Sequence, residues 1–173
     1  MALKRKKKGK EFLKNIRILS KLTKEELDLV WNIAKPIEIA SGKVIVKEGD
    51  IGDTMYLFTD GKVVVSKNLT LKLGKKGFSK AEKSMVKLDS SQVSFFGDMA
   101  MFEDEPRSAT LTALTDCFLY AIKRKDFERM CQENPLVGYK IIRDIASVLC
   151  QRIRKGNQDV LKLSTALSIA LSK

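Results

Sequence analysis

The spacing of apolar residues divides the chain into helical, β and again helical segments. Thr23 and Glu26 have the spacing of a helix capping box, and an apolar helical face follows as far as Pro36. Phe12 and Ile16 begin an earlier run at helical spacing. From residue 37 to residue 65, short apolar runs alternate with turn residues, which predicts an all-β sandwich or barrel, and β character returns over residues 111–122.

Two hairpins are expected within the β segment. Asp60-Gly61 is typical of a tight turn that pairs residues 55–58 with residues 63–65. Residues 68–87 predict a longer hairpin with a lysine-rich tip, interpreted as a solvated loop in preference to a docking site for a partner.

The C-terminal segment predicts a long helix with an apolar seam. Apolar or small residues recur there at alternating steps of four and three: Ile142, Ala146, Leu149, Ile153, Gly156, Val160, Leu163, Leu167 and Ala170. Such a sustained heptad repeat favours a parallel homodimer helix over packing within the chain. Gly156-Asn157 interrupts the seam, where the segment could break into two helices.

The net charge of +12 is concentrated in two segments. Residues 1–21 carry a net +8 and residues 62–87 a net +7, which leaves −3 for the remainder. This distribution weakens the hypothesis that the whole fold follows a nucleic-acid backbone. Residues 1–11 predict a basic, disordered tail that is solvated or contacts nucleic acid or anionic lipid.

The absence of histidine excludes Ser-His-Asp and Cys-His nucleophiles and every His-containing zinc site. Cys117, Cys131 and Cys150 lack CxxC spacing and are expected to be reduced, mostly buried thiols of an intracellular protein. No apolar run approaches the ~18 residues of a membrane span. We therefore expect a cytoplasmic protein that is not an enzyme, with no metal, no cofactor and no transmembrane segment.

Residues 96–114, FGDMAMFEDEPRSATLTAL, have the composition of an anion-binding site. Gly97 permits close approach to the backbone, and a helical turn after it directs N–H groups back toward Asp98. Arg107 supplies a planar cation suited to a phosphate, and small residues follow it. The alternative interpretation is a turn and short helix with an ordinary surface arginine. The candidate binding residues are Gly97, Asp98, Met99, Ala100, Arg107, Ser108 and Ala109.

Three stretches resemble, in the correct order, the cyclic nucleotide-binding domain family: ILSKLTKEEL, GKVIVKEGDIGDTMYLFTDGKVVV and FGDMAMFEDEPRSATLTAL. The last is similar to the family's phosphate-binding cassette, F-G-E-L-A-L followed by P-R-x-A-T. The resemblance covers roughly residues 18–157. It implies an α+β fold, in which an antiparallel β-roll of the double-stranded β-helix or jelly-roll type is flanked by N-terminal helices and a long C-terminal helix. We assign the β-roll and its flanking helices to residues 12–135 and the possible dimerisation helix to residues 136–173.

The resemblance also implies roles for the cassette residues. Arg107 would pair with the cyclic phosphate, and backbone N–H groups near Met99 and Ala100, with those of Ser108 and Ala109, would surround it. Gly97 would let the sugar approach the backbone. Ser108 does not decide between adenine and guanine, and no motif identifies which residue of the C-terminal helix contacts the base.

Asp98 stands where the family usually has a glutamate that accepts hydrogen bonds from the ribose 2′-hydroxyl. Aspartate is one methylene shorter, and loss of that charged hydrogen bond would cost about 1.5–3 kcal/mol. This corresponds to roughly a ten- to hundredfold weaker affinity.

The resemblance implies a regulatory sensor that binds a cyclic nucleotide, cAMP in preference to cGMP. It would signal through the C-terminal helix to a homodimer interface or a downstream protein partner. One alternative is a degenerate domain that serves as a dimerisation or protein-docking module. The other is a nucleic-acid-associated regulator that uses the basic tail, since the residues after Asn157 are too few for a helix-turn-helix.

Overall fold

The computed structural model describes residues 10–72, 78–91 and 93–172. The predicted tail lies outside the described residues except for Lys10 and Glu11. The centre of the predicted lysine-rich tip, residues 73–77, also lies outside them.

The N-terminal segment consists of two 3-10 turns, Leu13–Asn15 and Arg17–Leu19, followed by helix α1 (Lys24–Ile33). The capping box is confirmed, because the Thr23 side chain accepts the Glu26 N–H and the Glu26 side chain accepts the Thr23 N–H. The earlier helical run is less regular than its spacing suggested. Ile16 is extended between the two turns, with φ −75° and ψ 118°, and this change of direction accompanies its complete burial.

Eight strands form two four-stranded sheets in the described part of the chain, with every pairing antiparallel. Their order is β1-β8-β3-β6 in one sheet and β2-β7-β4-β5 in the other. The strands are β1 (Lys35–Ile39), β2 (Val44–Val46), β3 (Thr54–Asp60), β4 (Lys62–Lys72), β5 (Phe78–Asp89), β6 (Phe95–Phe96), β7 (Thr110–Ala113) and β8 (Cys117–Lys123). The predicted antiparallel β-roll is confirmed.

Two apolar cores cover the two faces of the β1-β8-β3-β6 sheet. Leu119 belongs to the core between the sheets, whereas Tyr120 and Ile122 belong to the core between this sheet and the helices. The alternation along β8 therefore places successive side chains in different cores. The β1-β8-β3-β6 sheet is therefore the middle of three layers, between the helices and the β2-β7-β4-β5 sheet.

The pairing predicted across Asp60-Gly61 is wrong. Strands β3 and β4 are consecutive, yet β3 bonds to β6 and β8 while β4 bonds to β5 and β7. Gly61 has φ +110°, and a Cβ there would lie 2.6 Å from the Cys117 sulfur. The turn thus carries the chain from one sheet to the other, so that Phe58 and Val63 can both lie in the core between the sheets.

The second predicted hairpin is formed by β4 and β5. Their register runs from Lys62 opposite Asp89 to Lys72 opposite Phe78, with an irregularity between Val65 and Ser66.

Helices α2 (Arg124–Glu133) and α3 (Pro135–Leu171) complete the fold. Helix α3 is continuous through Gly156-Asn157, so this pair does not break it. Its first half packs into the helical core, whereas the seam is exposed from Ile153 onward.

Within the described residues, no helix combines the length and hydrophobicity needed to cross a membrane. Cys117 is buried and Cys131 half-buried, but Cys150 is exposed, contrary to the expectation of mostly buried thiols.

Two ion pairs fasten helix α3 to the N-terminal segment. Lys140 Nζ lies 2.6 Å from the Glu26 carboxylate, and Lys21 Nζ lies 2.7 Å from that of Asp144. The hydrogen bond from Lys140, with that from the Thr23 backbone, lowers the pKa of Glu26. Burial raises the pKa of Asp144, but Lys21 and Arg143 together outweigh it and hold the pKa below its ordinary value. Both carboxylates therefore stabilise the fold above their unfolded pKa, and this contribution is lost as the pH falls through the lower folded pKa.

The contact between helices α2 and α3 predicts that Gly138→Ala is destabilising. A Cβ at Gly138 would lie 2.9 Å from both Cβ and Sγ of Cys131, which is too close for normal packing. We expect the free energy of unfolding to fall by about 1–3 kcal/mol, measured by urea denaturation.

Gly156→Ala is the matched control, because a Cβ at Gly156 meets nothing within 4 Å on the same helix. It should raise the free energy of unfolding by about 0.5–1 kcal/mol through helix propensity alone. Equal effects of the two substitutions would contradict the described packing.

Candidate functional site

All the candidate binding residues predicted from the sequence line one cavity of about 290 Å³. It lies between the turn that follows β6, the β2-β7-β4-β5 sheet and helix α3. Apolar side chains make up much of its wall: Val46, Val65, Leu88, Val93, Phe95, Phe96 and Leu111. Among the described lining residues, the cations are Arg107 and Arg152 and the carboxylates are Asp98, Glu103 and Glu105. The cavity is therefore apolar with a few charged groups.

The backbone of Arg107 is fixed by the turn that follows β2. The Gly49 N–H donates to the Arg107 carbonyl oxygen at 3.0 Å. In return, the Arg107 N–H donates to the Asp50 carbonyl oxygen at 2.9 Å. These reciprocal bonds join the cassette to a glycine-containing turn 57 residues earlier in the chain. They fix the point from which the arginine side chain extends.

The guanidinium of Arg107 lies against two glycines. A Cβ at Gly52 would lie 2.7 Å from Nη2, and a Cβ at Gly97 would lie 2.9 Å from Nη1. Nη2 also donates to the Thr54 carbonyl oxygen at 2.8 Å. Arg107 is half-buried and held on one side, so it is not the ordinary surface arginine of the alternative interpretation.

Gly97 has φ +76°, a left-handed conformation that favours glycine, and it begins a 3-10 helix over Asp98–Met101. The predicted helical turn is thus present. Ala100 is buried, whereas Met99 and Ser108 are exposed at the cavity. The structure places the remaining candidate, Ala109, on the cavity wall beside Arg107.

Asp98 is 3% exposed and forms an ion pair with helix α3. Both carboxylate oxygens accept from Nη1 of Arg152, at 3.1 and 2.9 Å. The Arg152 guanidinium also lies over the Phe95 ring, 5.3 Å from its centroid. One side of the cavity is therefore closed by an arginine from the long helix.

Sequence reasoning missed Gly52, Thr54 and Arg152. Gly52 lies in the second of the three resembling stretches, where no local signal indicates that it leaves the space that the Arg107 guanidinium occupies. Arg152 belongs to no motif and lies 54 residues from Asp98 along the chain. The only sequence signal for it was the expectation that some residue of the C-terminal helix faces the ligand.

A larger cleft of about 920 Å³ lies between the N-terminal segment and strands β1 and β8. Its described lining residues include four carboxylates and no Lys or Arg: Glu11, Glu38, Asp60 and Asp116. Such a surface repels an anion. The smaller cavity around Arg107 is therefore the candidate site for an anionic ligand.

Comparison with known proteins agrees with this geometry. The cyclic nucleotide-binding domain family model matches residues 36–134. The cAMP-dependent protein kinase regulatory subunit of Dictyostelium discoideum is 31% identical over 129 residues, which are 75% of this chain and 37% of that protein. The chain thus spans little more than a third of that relative's length.

Two solved structures are similar to the fold. The Thermus thermophilus catabolite activator protein has a TM-score of 0.68 at 26% identity, over 86% of this chain and 63% of that one. The regulatory domain of Toxoplasma gondii PKA, crystallised with cAMP, has a TM-score of 0.62 at 25% identity, over 84% of this chain and 51% of that one. The family model covers more than half of the chain and includes every candidate binding residue. The chain therefore belongs to the cyclic nucleotide-binding domain family.

Proposed function

We propose that this chain is a non-catalytic sensor that binds a cyclic nucleotide, cAMP in preference to cGMP, in the cavity around Arg107. The observation that carries the proposal is the Arg107 guanidinium, half-buried in a largely apolar cavity and held there by Gly52, Gly97 and Thr54. A buried phosphodiester needs a charged, geometrically fixed donor to offset the loss of hydration. A similar regulatory domain, that of Toxoplasma gondii PKA, was crystallised with cAMP, which supports the preference for cAMP.

The cassette provides further groups for the ligand. The phosphate would lie on Arg107, with backbone N–H groups of Met99, Ala100, Ser108 and Ala109 as additional donors. The ribose would lie over Gly97, with its 2′-hydroxyl toward Asp98. The apolar wall would then bury the base, toward helix α3.

Signalling would begin at Asp98. Both of its oxygens already accept from Arg152, so a ribose hydroxyl that bonds to Asp98 competes with, or shares, this ion pair. Ligand binding would thereby change how helix α3 is held at Arg152. Because coupling between two sites is reciprocal, anything that repositions the helix would also change ligand affinity.

Helix α3 would pass this change to a second copy of the chain. The seam residues Ile153, Val160, Leu163 and Leu167 are each at least 60% exposed, which leaves an apolar stripe in contact with water. Their heptad spacing suits a parallel two-stranded coiled coil. A downstream protein partner could bind to the same helix in a longer protein, as the partial coverage of the relatives allows.

A dimerisation or docking module without ligand binding is the second candidate. The Arg152–Asp98 ion pair favours it, because the pair occupies the carboxylate that the ribose would need. The two candidates differ in whether cyclic nucleotides bind at all.

Isothermal titration with cAMP and with cGMP tests the proposal. We expect saturable binding of one molecule per chain, with the lower dissociation constant for cAMP. Ligand at 100 times its dissociation constant should stabilise the protein by about 2.7 kcal/mol. For a domain of this size, the melting temperature should rise by about 5–11 °C.

Two variants locate the binding. Arg107→Ala should abolish the shift in melting temperature, and Gly52→Ala should reduce affinity by displacing the guanidinium. Arg154→Gln, an exposed arginine outside the cavity and the seam, is the unaffected control. Full affinity in Arg107→Ala would place the ligand elsewhere. Titrations that show no heat with either nucleotide, at high protein concentration, would leave the docking module as the better account.

Sedimentation equilibrium tests the dimer. Leu163→Glu places a charge in the seam and should weaken dimerisation by about 100-fold or more, since an unpaired charge would be buried. Leu161→Glu is the matched control, because Leu161 is 67% exposed against 71% for Leu163 but lies outside the seam. A monomeric wild type, or equal effects of both variants, would refute the proposal that the seam forms a dimer interface.

Hydrogen exchange tests the coupling through Arg152. In the wild type, cAMP should change amide exchange in residues 149–160, and Arg152→Gln should remove this change while binding persists. Affinity should rise, since the ribose no longer competes with Arg152 for the buried Asp98 carboxylate. Arg154→Gln, an exposed arginine on the same helix, should behave as the wild type. A ligand response that survives in Arg152→Gln would exclude this route.

A further inference from the structure

Arg124, the first residue of α2, contacts the cassette with three of its nitrogen atoms. Its Nε donates to the Ala100 carbonyl oxygen at 2.7 Å, and its Nη2 donates to that of Glu103 at 2.5 Å. Its Nη1 donates to Asp104 Oδ1 at 2.5 Å. The Arg124 side chain is 18% exposed, whereas that of Asp104 is 89% exposed. The two bonds to carbonyl oxygens are therefore the shielded part of this contact.

The backbone of Arg124 is anchored beside the binding arginine. The Arg124 N–H donates to the Asp53 carbonyl oxygen at 2.7 Å, and Nη2 of Arg107 donates to that of the next residue, Thr54. Two arginines are thus tied to successive carbonyl groups at the start of β3. Arg107 lines the cavity, whereas Arg124 is absent from its lining and bonds the carbonyl groups of the cassette.

The cassette turn has few internal bonds of its own. The 3-10 helix Asp98–Met101 is four residues long, and the Met99 carbonyl oxygen accepts both the Phe102 and the Glu103 N–H groups. The carbonyl groups of Ala100 and Glu103 have their partner in Arg124. So short a helix is not stable without outside contacts.

We propose that Arg124 is a positioning residue of the ligand site, which holds residues 98–103 in the conformation that lines the cavity. It contacts the carbonyl oxygens of the cassette, so its effect on binding is indirect. The expected effect on affinity rests on the proposed cyclic-nucleotide binding. The expected effect on the conformation of residues 98–103 does not rest on that binding, because it is measured in the protein without ligand.

The experiment measures amide hydrogen exchange in the ligand-free chain and then cAMP affinity by titration, for Arg124→Gln and Arg124→Lys. Arg124→Gln should accelerate exchange within residues 98–104 while strands β3 and β8 keep wild-type protection. It should weaken cAMP binding by about 10- to 100-fold, through the loss of charged hydrogen bonds. Arg124→Lys keeps the charge and one bonding group and should recover part of both effects.

Two control variants separate positioning from general stabilisation. Asp104→Asn removes the negative charge of the exposed partner, and Arg129→Gln removes an exposed arginine of the same helix that pairs with Asp126. Both should retain wild-type exchange and affinity.

Three outcomes would overturn the proposal. They are unchanged exchange at residues 98–104 in Arg124→Gln, faster exchange across the whole chain, and an equal loss in Asp104→Asn. If the wild type binds neither nucleotide, the proposed function fails, while the exchange measurement still decides the role of Arg124.

Discussion

The guanidinium of Arg107 lies against Gly52 and Gly97 and donates to the Thr54 carbonyl oxygen, so contacts within the protein determine its position. Binding a phosphate there would not require the entropy of a long side chain to be lost at that moment. The close contacts also explain why a turn, a strand and the cassette must come together: each supplies one surface of the space that the arginine occupies. The β-roll performs this task by bringing residues 49–54 next to residues 97–107.

The connection between the site and helix α3 is electrostatic and direct. Asp98 is buried at the beginning of the cassette, and its partner Arg152 lies on the long helix. A buried carboxylate cannot lose its partner without a compensating donor, since an unpaired buried charge is costly. In the proposed mechanism, a ribose hydroxyl is that donor. In the proposed mechanism, the shorter side chain of Asp98 holds its carboxylate where helix α3 and a sugar can both bond to it.

Much of the site could be predicted from the sequence because its signals are local. Gly97 and Arg107 lie within eleven residues, and the capping box at Thr23 is a pattern of four residues. The missed features depend on contacts between distant residues. The turn at Gly61 looks the same in sequence whether its strands pair or enter different sheets. The Asp98–Arg152 pair depends on how helix α3 crosses the cassette, which heptad spacing does not reveal.

A crystal structure of the chain with cAMP tests the central claim most directly. The account predicts the cyclic phosphate on the Arg107 guanidinium, the ribose over Gly97, and an Arg152–Asp98 contact that is broken or shared with the 2′-hydroxyl. A nucleotide bound outside this cavity, or one bound in it without contact to Arg107, would contradict the account.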